Sequence, residues 1–240
     1  MDLERHNDEI LGPRLAWTPR QPPARIPQAG RYVRLEPIDP TRHAHDLFEL
    51  SHGPKGDAAI WDYLGYGPFA DQAAFGSWAV ERAASSDPLF YSVIDLSTGK
   101  ASGMMSYLRI APADGVIEIG HIWFTPVIQR SRQATEAVFL LARHAFDDLG
   151  YRRFEWKCNA GNAPSRRAAL RFGFTFEGLF RQHMIVKGRN RDTAWYAIVD
   201  RDWPAIRAAF QRWLEPQNFT PDGNQRQALT AREYAGKQPF

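Results

Sequence analysis

Apolar and polar residues alternate along residues 32–38, and this alternation predicts a β-strand. Asp39 and Pro40 follow it, and these residue types are typical of a helix N-cap and of the first helical position. Apolar residues then recur at helical spacing, which predicts a helix. A loop rich in glycine and aromatic residues, 53–69, separates it from a second predicted helix that begins after Asp71.

Three further alternating segments predict strands joined by two hairpin turns: strands at 89–96, 101–110 and 116–124, and turns at 97–100 and 113–115. The next apolar stripe has the period of a helix over residues 132–149, with Gly150 as its stop. The remaining pattern predicts a strand at 153–158, a helix at 162–172, strands at 174–185 and 193–199, and a helix from an Asp202 cap to near Leu214.

The predicted element order is βααβββαβαββα. Because the strand at 116–124 leads to the strand at 153–158 through a helix, these two are expected to run parallel, whereas the hairpins are antiparallel. The pattern therefore predicts an α+β fold around one mixed sheet. The predicted domain organisation is a proline-rich extension at 1–29, the patterned domain at 30–214 and a polar tail at 215–240.

Composition narrows the class of protein. The 240 residues are 44% hydrophobic and 24% charged, which is enough for a globular core. Cys158 is the single cysteine, so an internal disulfide and a cysteine-rich metal site are excluded, and no histidine spacing predicts a metal. One cysteine fits a cytoplasmic localisation. Neither a membrane span nor a signal peptide is predicted, because no sufficiently long apolar run occurs.

The formal net charge is +3, from 30 Lys and Arg against 27 Asp and Glu. This excess is too small to predict a specific nucleic-acid partner, and a small polyanion bound at local arginines explains it equally well. Backbone N–H groups at a helix N-terminus, together with two arginines, predict an anion site; the alternative is a solvated basic loop. The residues concerned are Gln129, Arg130, Ser131, Arg132, Gln133 and Ala134.

A second candidate segment follows the strand at 153–158. Asn162 is placed to cap the next helix, which is a structural role. Asn159 lies at the strand end, where a side-chain amide can pair with the amides of a ligand. Ser165 lies in the first helical turn, where its hydroxyl serves either chemistry or a local backbone bond.

These segments carry a resemblance through the order and spacing of short motifs. The chain resembles the GNAT superfamily of acyl-CoA-dependent N-acyltransferases over about residues 30–214, and is most similar to its RimJ/RimL-type branch of ribosomal-protein N-terminal acetyltransferases. The motifs are Glu118-Ile119-Gly120-His121-Ile122, Ala134-Thr135-Glu136-Ala137, Asn159-x-x-Asn162-x-x-Ser165, Gly173-Phe174-x-x-Glu177-Gly178 and Lys187-Gly188-Arg189-x-Arg191-Asp192.

The resemblance implies a GNAT-like, mostly antiparallel sheet flanked by helices, with a splayed parallel strand pair that binds acetyl-CoA as cosubstrate, without a metal. It implies that the backbone of Ile122, Trp123 and Phe124 pairs with the pantetheine as an added strand would. It also implies that residues 129–134 contact the pyrophosphate. Asn159, Asn162 and Ser165 complete the expected cosubstrate site.

One departure from the family pattern concerns this pyrophosphate loop. Arg130 and Arg132 stand where the family has glycines, which permit positive φ and close backbone approach. Two outcomes are open: the arginine side chains replace some backbone contacts to phosphate, or the loop is displaced.

Direct transfer, which the resemblance implies, needs a base for the amine and an acid for the thiolate. Glu118 is the first candidate base because burial raises the pKa of a carboxyl group, and the alternative is a glutamate paired with a neighbouring Arg or Tyr. His183 is the second candidate base. Ser165 is the candidate acid, because Ala169 stands where many family members have a tyrosine. His121 is expected to serve packing.

The loop between the first two helices is the expected wall of the acceptor cleft. Trp61, Asp62, Tyr66 and His183 are the candidate acceptor-binding residues, with Asp57 as a further acid that attracts an ammonium group; the alternative is that the aromatic residues only cover the core. The predicted function is acetyl transfer from acetyl-CoA to a primary amine, either a peptide α-amino group or a small amine.

Three alternatives to this function are another acyl donor, a small-molecule acceptor such as an antibiotic or polyamine, and a CoA-binding or ribosome-associated module without catalysis. No membrane partner is expected. A homodimer is a further expectation.

Overall fold

The computed structural model describes residues 14–231. Within them one eight-stranded sheet has the order β1-β2-β3-β4-β5-β6-β8-β7. Only β5 and β6 are parallel neighbours in this sheet. The predicted α+β fold with a mixed, mostly antiparallel sheet is therefore confirmed. The strands are β1 Gln28–Ala29, β2 Val33–Pro37, β3 Leu89–Asp95, β4 Ala101–Ala111, β5 Val116–Phe124, β6 Arg153–Asn159, β7 Thr175–Val186 and β8 Arg189–Val199.

The helices begin where the sequence has capping residues. Asp39, Asp71 and Asn162 each accept a hydrogen bond from a backbone N–H in the following first turn, as predicted. Asp202 is different: it precedes the last helix with helical backbone angles and makes no capping bond. The helices are α1 Pro40–His52, α2 Gln72–Ala84, α3 Arg132–Arg143, α4 Ala163–Arg171 and α5 Trp203–Trp213.

Two boundaries differ from the predicted ones, and one short strand was not predicted. The α-helical part of the segment predicted at 132–149 ends at Arg143, and a π-helical turn continues over His144–Asp148. The strand predicted from Thr193 begins at Arg189, because the hairpin pairs up to its turn. The short strand β1 pairs with β2 and has too few residues to show an alternation.

The two faces of the sheet are covered unequally. On the first face, α3 and α5 pack together through Phe139 and Phe210, whose ring centroids are 5.3 Å apart. On the second face, α1 and α2 lie over β3 and β4 around the buried Trp61 and Phe75. Within residues 14–231, no helix packs on the second face of β6, β8 and β7. This part of the second face is referred to below as the open face.

Parts of both predicted extensions pack on the domain. The Trp17 indole donates to Ala113 O at 2.7 Å, and Arg20 donates to Gly150 O at 3.0 Å. On the C-terminal side, Phe219 and Leu229 are buried. Residues 1–13 and 232–240 of the predicted extensions lie outside the described residues, and the division at 30 and 214 stays a prediction. None of the described helices combines the length and the apolar character that crossing a membrane requires.

Candidate active site

The parallel strands β5 and β6 separate within the sheet. They pair from Val116 with Arg153 to Ile119 with Trp156, and the pairing stops there. β5 continues along β4 as far as Phe124, whereas β6 continues along β8 as far as Asn159. A wedge therefore opens between 120–124 and 157–159, and backbone groups that line it have no partner strand.

A bulge lies on β5 at the point where the wedge begins. The register between β4 and β5 shifts between Gly120 and Trp123, and His121 has a φ of 50°. The His121 imidazole packs on Tyr66 and Phe90, with ring centroids 5.6 and 5.0 Å away. Burial, aided by nearby arginines, lowers the pKa of His121 to about 4, so the ring is neutral at neutral pH. This arrangement agrees with the packing role expected for His121.

The predicted anion loop continues from the open end of the wedge. Arg130 has a φ of 57°, so an arginine adopts the left-handed conformation that glycine favours. Ser131 caps α3 by accepting from Ala134 N–H. The amides of Arg132 and Gln133 are then at the helix end, where no intrahelical acceptor reaches them. The loop therefore has a backbone turn of the glycine type despite its arginines.

The half-buried Arg132 side chain lies against two aromatic rings. Its guanidinium carbon lies 4.5 Å from the ring centroid of Tyr32 and 5.3 Å from that of Phe219. Gln129, at the other end of the loop, donates to Phe124 O at 3.0 Å. Arg132 is thus a positive charge fixed beside the N-terminus of α3 by a residue of the C-terminal extension.

The candidate residues at the end of β6 divide between the two faces of the sheet: Ser165 contacts Trp156 on the first face, whereas Asn159 ends β6 and lines a cavity on the second. Ser165 Oγ accepts from Trp156 Nε1 at 3.0 Å, and the Ser165 hydroxyl also hydrogen-bonds the buried Cys158 thiol. Asn159 Oδ1 accepts from Gly161 N–H at 2.8 Å, and Asn162 caps α4. All three residues are at the wedge, but Asn159 and Asn162 already use their side-chain oxygens within the chain.

Glu118 is buried in a charge cluster on the second face of the sheet, beside the open face. Its Oε2 accepts from Lys157 Nζ at 2.7 Å and from Arg109 at 2.6 Å. Lys157 is 3% exposed, also contacts Glu155 at 2.7 Å, and lies 3.8 Å from a ring centroid of Trp195. This geometry matches the alternative in which a neighbouring arginine pairs with Glu118.

The roles of Lys157 and Arg109 were not anticipated from the sequence. Glu155 and Lys157 alternate with Phe154, Trp156 and Cys158 along β6, and this alternation was the available signal for a charged face.

His183 lies on the same face, at a bulge of the edge strand β7. Its Nδ1 is 3.0 Å from Thr193 Oγ1, and Arg191 Nε donates to the same oxygen at 3.2 Å. The ring is also 6.0 Å from Trp195, which touches Lys157. The two candidate bases therefore share one face, whereas Ser165 is on the opposite face of the wedge.

A cavity of about 330 Å³ lies where β6 ends. Lys187 Nζ donates to Trp61 O at 2.8 Å and so connects the β7–β8 turn to the loop after α1. Tyr63 donates to Gly161 O at 3.1 Å and connects the same loop to the end of β6. The residues that line this cavity include Asp62, Tyr63, Asn159, Lys187, Arg189 and Arg191.

The predicted acceptor residues divide between this cavity and the core. Asp62 lines the cavity. Trp61 is 1% exposed, and it packs on Tyr66 and Trp123 beneath the loop, so its ring does not line the cavity. Asp57 accepts from Ala59 N–H and caps a short turn. Trp61 therefore covers the core, as in the alternative interpretation of this loop, and does not contact the acceptor cavity.

A family model described as "Acetyltransferase (GNAT) domain" matches residues 33–175, which include β2 to β6 and both sides of the wedge. The chain belongs to the GNAT acetyltransferase family. The fold also agrees with a solved structure, the GCN5-related N-acetyltransferase from Brucella melitensis. That structure is 50% identical, with a TM-score of 0.87, over 89% of this chain and 96% of its own.

Two curated relatives agree with the predicted RimJ/RimL-type branch of the GNAT family. The putative ribosomal N-acetyltransferase YdaF of Bacillus subtilis is 30% identical over 108 residues, 45% of this chain and 58% of its own. The ribosomal-protein-serine acetyltransferase of Escherichia coli is 33% identical over 99 residues, 41% of this chain and 55% of its own. The matched segment spans less than two thirds of each relative.

Proposed function

We propose that this GNAT chain transfers the acetyl group of acetyl-CoA to a primary amine. The observation that supports this most is the wedge between β5 and β6, which opens toward the N-terminus of α3. The wedge offers unpaired strand backbone, and the helix end offers unpaired amides and positive charge. An elongated molecule with amides at one end and a pyrophosphate at the other matches both.

Acetyl-CoA fits these residues. Ile122, Trp123 and Phe124 offer backbone groups to the pantetheine amides, in the manner of strand addition. Arg132 and Gln133 offer amides to the pyrophosphate, and Arg130 adds a side chain at the same turn. When bound, acetyl-CoA supplies an activated acetyl thioester.

We assign proton acceptance from the amine to His183 ahead of Glu118. When Nδ1–H of His183 donates to Thr193 Oγ1, its Nε2 has a free lone pair toward the open face. Glu118 already has two cations on one oxygen, and protonation would have to compete with both ion pairs. Glu118 is then the anchor that keeps Lys157 and Arg109 in place on the open face.

Ser165 is the proposed proton donor to the departing thiolate. Its hydroxyl oxygen accepts from Trp156, which fixes the oxygen, and its hydrogen would turn from the Cys158 thiol to the thiolate of CoA. Because Ser165 and His183 lie on opposite faces, the acceptor amine enters from the open face and the thiol leaves on the side of α4.

Two classes of acceptor remain in competition. The names of two relatives, which refer to ribosomal-protein acetylation, favour a peptide α-amino group. The cavity of about 330 Å³ fits a terminal residue or a small amine equally well. A different function, that of a CoA-binding module without catalysis, is supported only by the two arginines in the pyrophosphate loop.

The test is release of CoA, followed with a free-thiol reagent, over a panel of peptides and small amines. Acetyl transfer predicts stoichiometric CoA and acetylated product with at least one amine, and loss of turnover in Ser165→Ala and His183→Gln. Calorimetric binding of acetyl-CoA without CoA release on any amine would instead favour the non-catalytic module.

A further inference from the structure

We propose that the acceptor carries an anionic group, a carboxylate or a phosphate monoester, which Arg191 binds in the cavity at the end of β6. This inference rests on the proposed acetyl transfer and specifies its substrate class. Three cationic side chains line the cavity, and one carboxylate opposes them. The cations are Lys187, Arg189 and Arg191, and the carboxylate is Asp62.

Arg191 is the central observation. It is half-buried on the open face, and the single hydrogen bond that its side chain makes within residues 14–231 goes from Nε to Thr193 Oγ1. No carboxylate in the described chain is within ion-pair distance of its guanidinium. Burial lowers the pKa of Arg191, as expected for a charge that has lost water without gaining a partner. Its two terminal nitrogens are therefore available to a ligand.

Two of the neighbouring acids are already used. Glu118 acts electrostatically on Arg191, but Lys157 and Arg109 contact one of its oxygens. Asp192 accepts from Gln182 N–H at 2.7 Å and from Asn190 Nδ2 at 3.0 Å. Asp62 is exposed at the cavity wall. An anion brought by the ligand would therefore complete the charge balance of the cavity.

A guanidinium binds carboxylate and phosphate through two parallel N–H donors, so such a ligand would be oriented as well as attracted. Arg191 and His183 share Thr193 Oγ1, which places an anion held by Arg191 close to the proposed base. The cationic surroundings also disfavour an ammonium group, and so they increase the fraction of neutral, nucleophilic amine.

The experiment compares matched amines of equal length. One pair is an amino acid and its carboxamide, and the other is an aminoalkyl phosphate and the corresponding aminoalkyl alcohol. We expect kcat/KM for at least one anionic member to exceed that of its neutral partner by about 10-fold or more. A preference in the first pair indicates a carboxylate, and a preference in the second pair indicates a phosphate.

Variants then assign the preference to one side chain. Arg191→Met should lower kcat/KM for the preferred anionic amine by about 10-fold or more beyond any loss it causes with the neutral partner, and Arg191→Lys should retain part of the preference. Arg201→Gln is the matched control, because Arg201 is 85% exposed and does not line the cavity. An Arg191→Met variant that affects both members equally would overturn the inference.

A binding measurement separates this inference from the proposed function. Calorimetry of each amine with the enzyme saturated with CoA reports acceptor affinity without turnover. If no amine is acetylated, the proposed function fails, and tighter binding of the anionic members that Arg191→Met abolishes still supports the anion site. If neutral members bind and react as well as anionic ones, the anion site is wrong and acetyl transfer stands.

Discussion

Individual side chains at the wedge differ in whether the fold already uses them. Glu118 is held by Lys157 and Arg109, whereas among the described residues the His183 ring has a single polar contact, with Thr193. A residue with many internal partners contributes to stability, and a residue with a free polar atom is available for chemistry. This difference predicts opposite phenotypes for the two candidate bases.

For the catalytic assignment we compare His183→Gln with Glu118→Gln. His183→Gln should reduce kcat about 10²–10⁴-fold, the range for loss of a general base, with an unchanged free energy of unfolding. Glu118→Gln removes the charge that two cations share, and should cost about 3 kcal/mol of stability. Denaturant unfolding and steady-state kinetics on both variants measure this. A stable but inactive Glu118→Gln variant would return the role of base to Glu118.

A second prediction at this scale concerns pH. The pKa of His121 is about 4 in the folded chain and close to the ordinary 6.5 when unfolded. Between pH 6.5 and 4 the unfolded chain therefore binds a proton that the folded chain does not, and stability falls as pH falls. The full contribution is about 3 kcal/mol.

The variant His121→Asn tests this, because asparagine tolerates positive φ and does not titrate. The loss of unfolding free energy between pH 7 and 4 should be smaller in the variant than in the parent chain. Equal losses in the two proteins would show that His121 titrates normally.

At the scale of elements, the loop before α3 allows the contribution of the Arg130 backbone conformation to be measured separately from that of its side chain. Arg130 adopts the conformation of a glycine, at a cost of about 1 kcal/mol for a residue with a Cβ. Arg130→Gly should therefore unfold at a denaturant concentration at or above that of Arg130→Ala. Both variants lack the guanidinium and should bind acetyl-CoA more weakly by about 1.5–3 kcal/mol.

Calorimetry decides between the two explanations of the arginine loop. Equal weakening in both variants assigns the affinity to the side chain. Wild-type affinity in Arg130→Gly, with weaker binding in Arg130→Ala, would assign it to the backbone turn instead.

Elements governed by local patterns were predictable, and those governed by long-range contacts were not. The caps at Asp39, Asp71 and Asn162 need only neighbouring residues, and the sequence predicts them. The start of β8 was missed because its first residues are polar and exposed on both sides. Glu118 was recognisable as a polar residue in an apolar strand, but its partner Lys157 is 39 positions away. Only the parallel pairing of β5 and β6 brings them together.

For the whole molecule, the C-terminal extension is a part of the fold near the proposed cosubstrate site. Phe219 packs on Trp213, with ring centroids 5.0 Å apart, and on Arg132. Gln225 accepts from Trp213 Nε1 at 2.9 Å. The extension therefore connects α5 to the N-terminus of α3.

A fragment of residues 30–214 tests this connection and the proposed domain boundary together. We expect it to unfold at lower denaturant than the full chain, because it lacks the buried Phe219 and Leu229, and to bind acetyl-CoA more weakly. Phe219→Leu in the full chain is the control that retains apolar volume but removes the ring. A fragment as stable as the full chain would show that residues 30–214 form the domain without a contribution from the extensions.

The wedge also has a consequence for amide hydrogen exchange. In most sheets the slowest amides lie on central strands and the fastest on the edges. Here part of the central strand β5 faces a gap from Gly120 to Phe124, so amides that point into it should exchange rapidly in the free protein. Acetyl-CoA should slow that exchange selectively, while amides of the edge strand β7 keep their rates. Exchange mass spectrometry would then show slower exchange of the β5 amides when acetyl-CoA is bound, because the cosubstrate pairs with them as a neighbouring strand would.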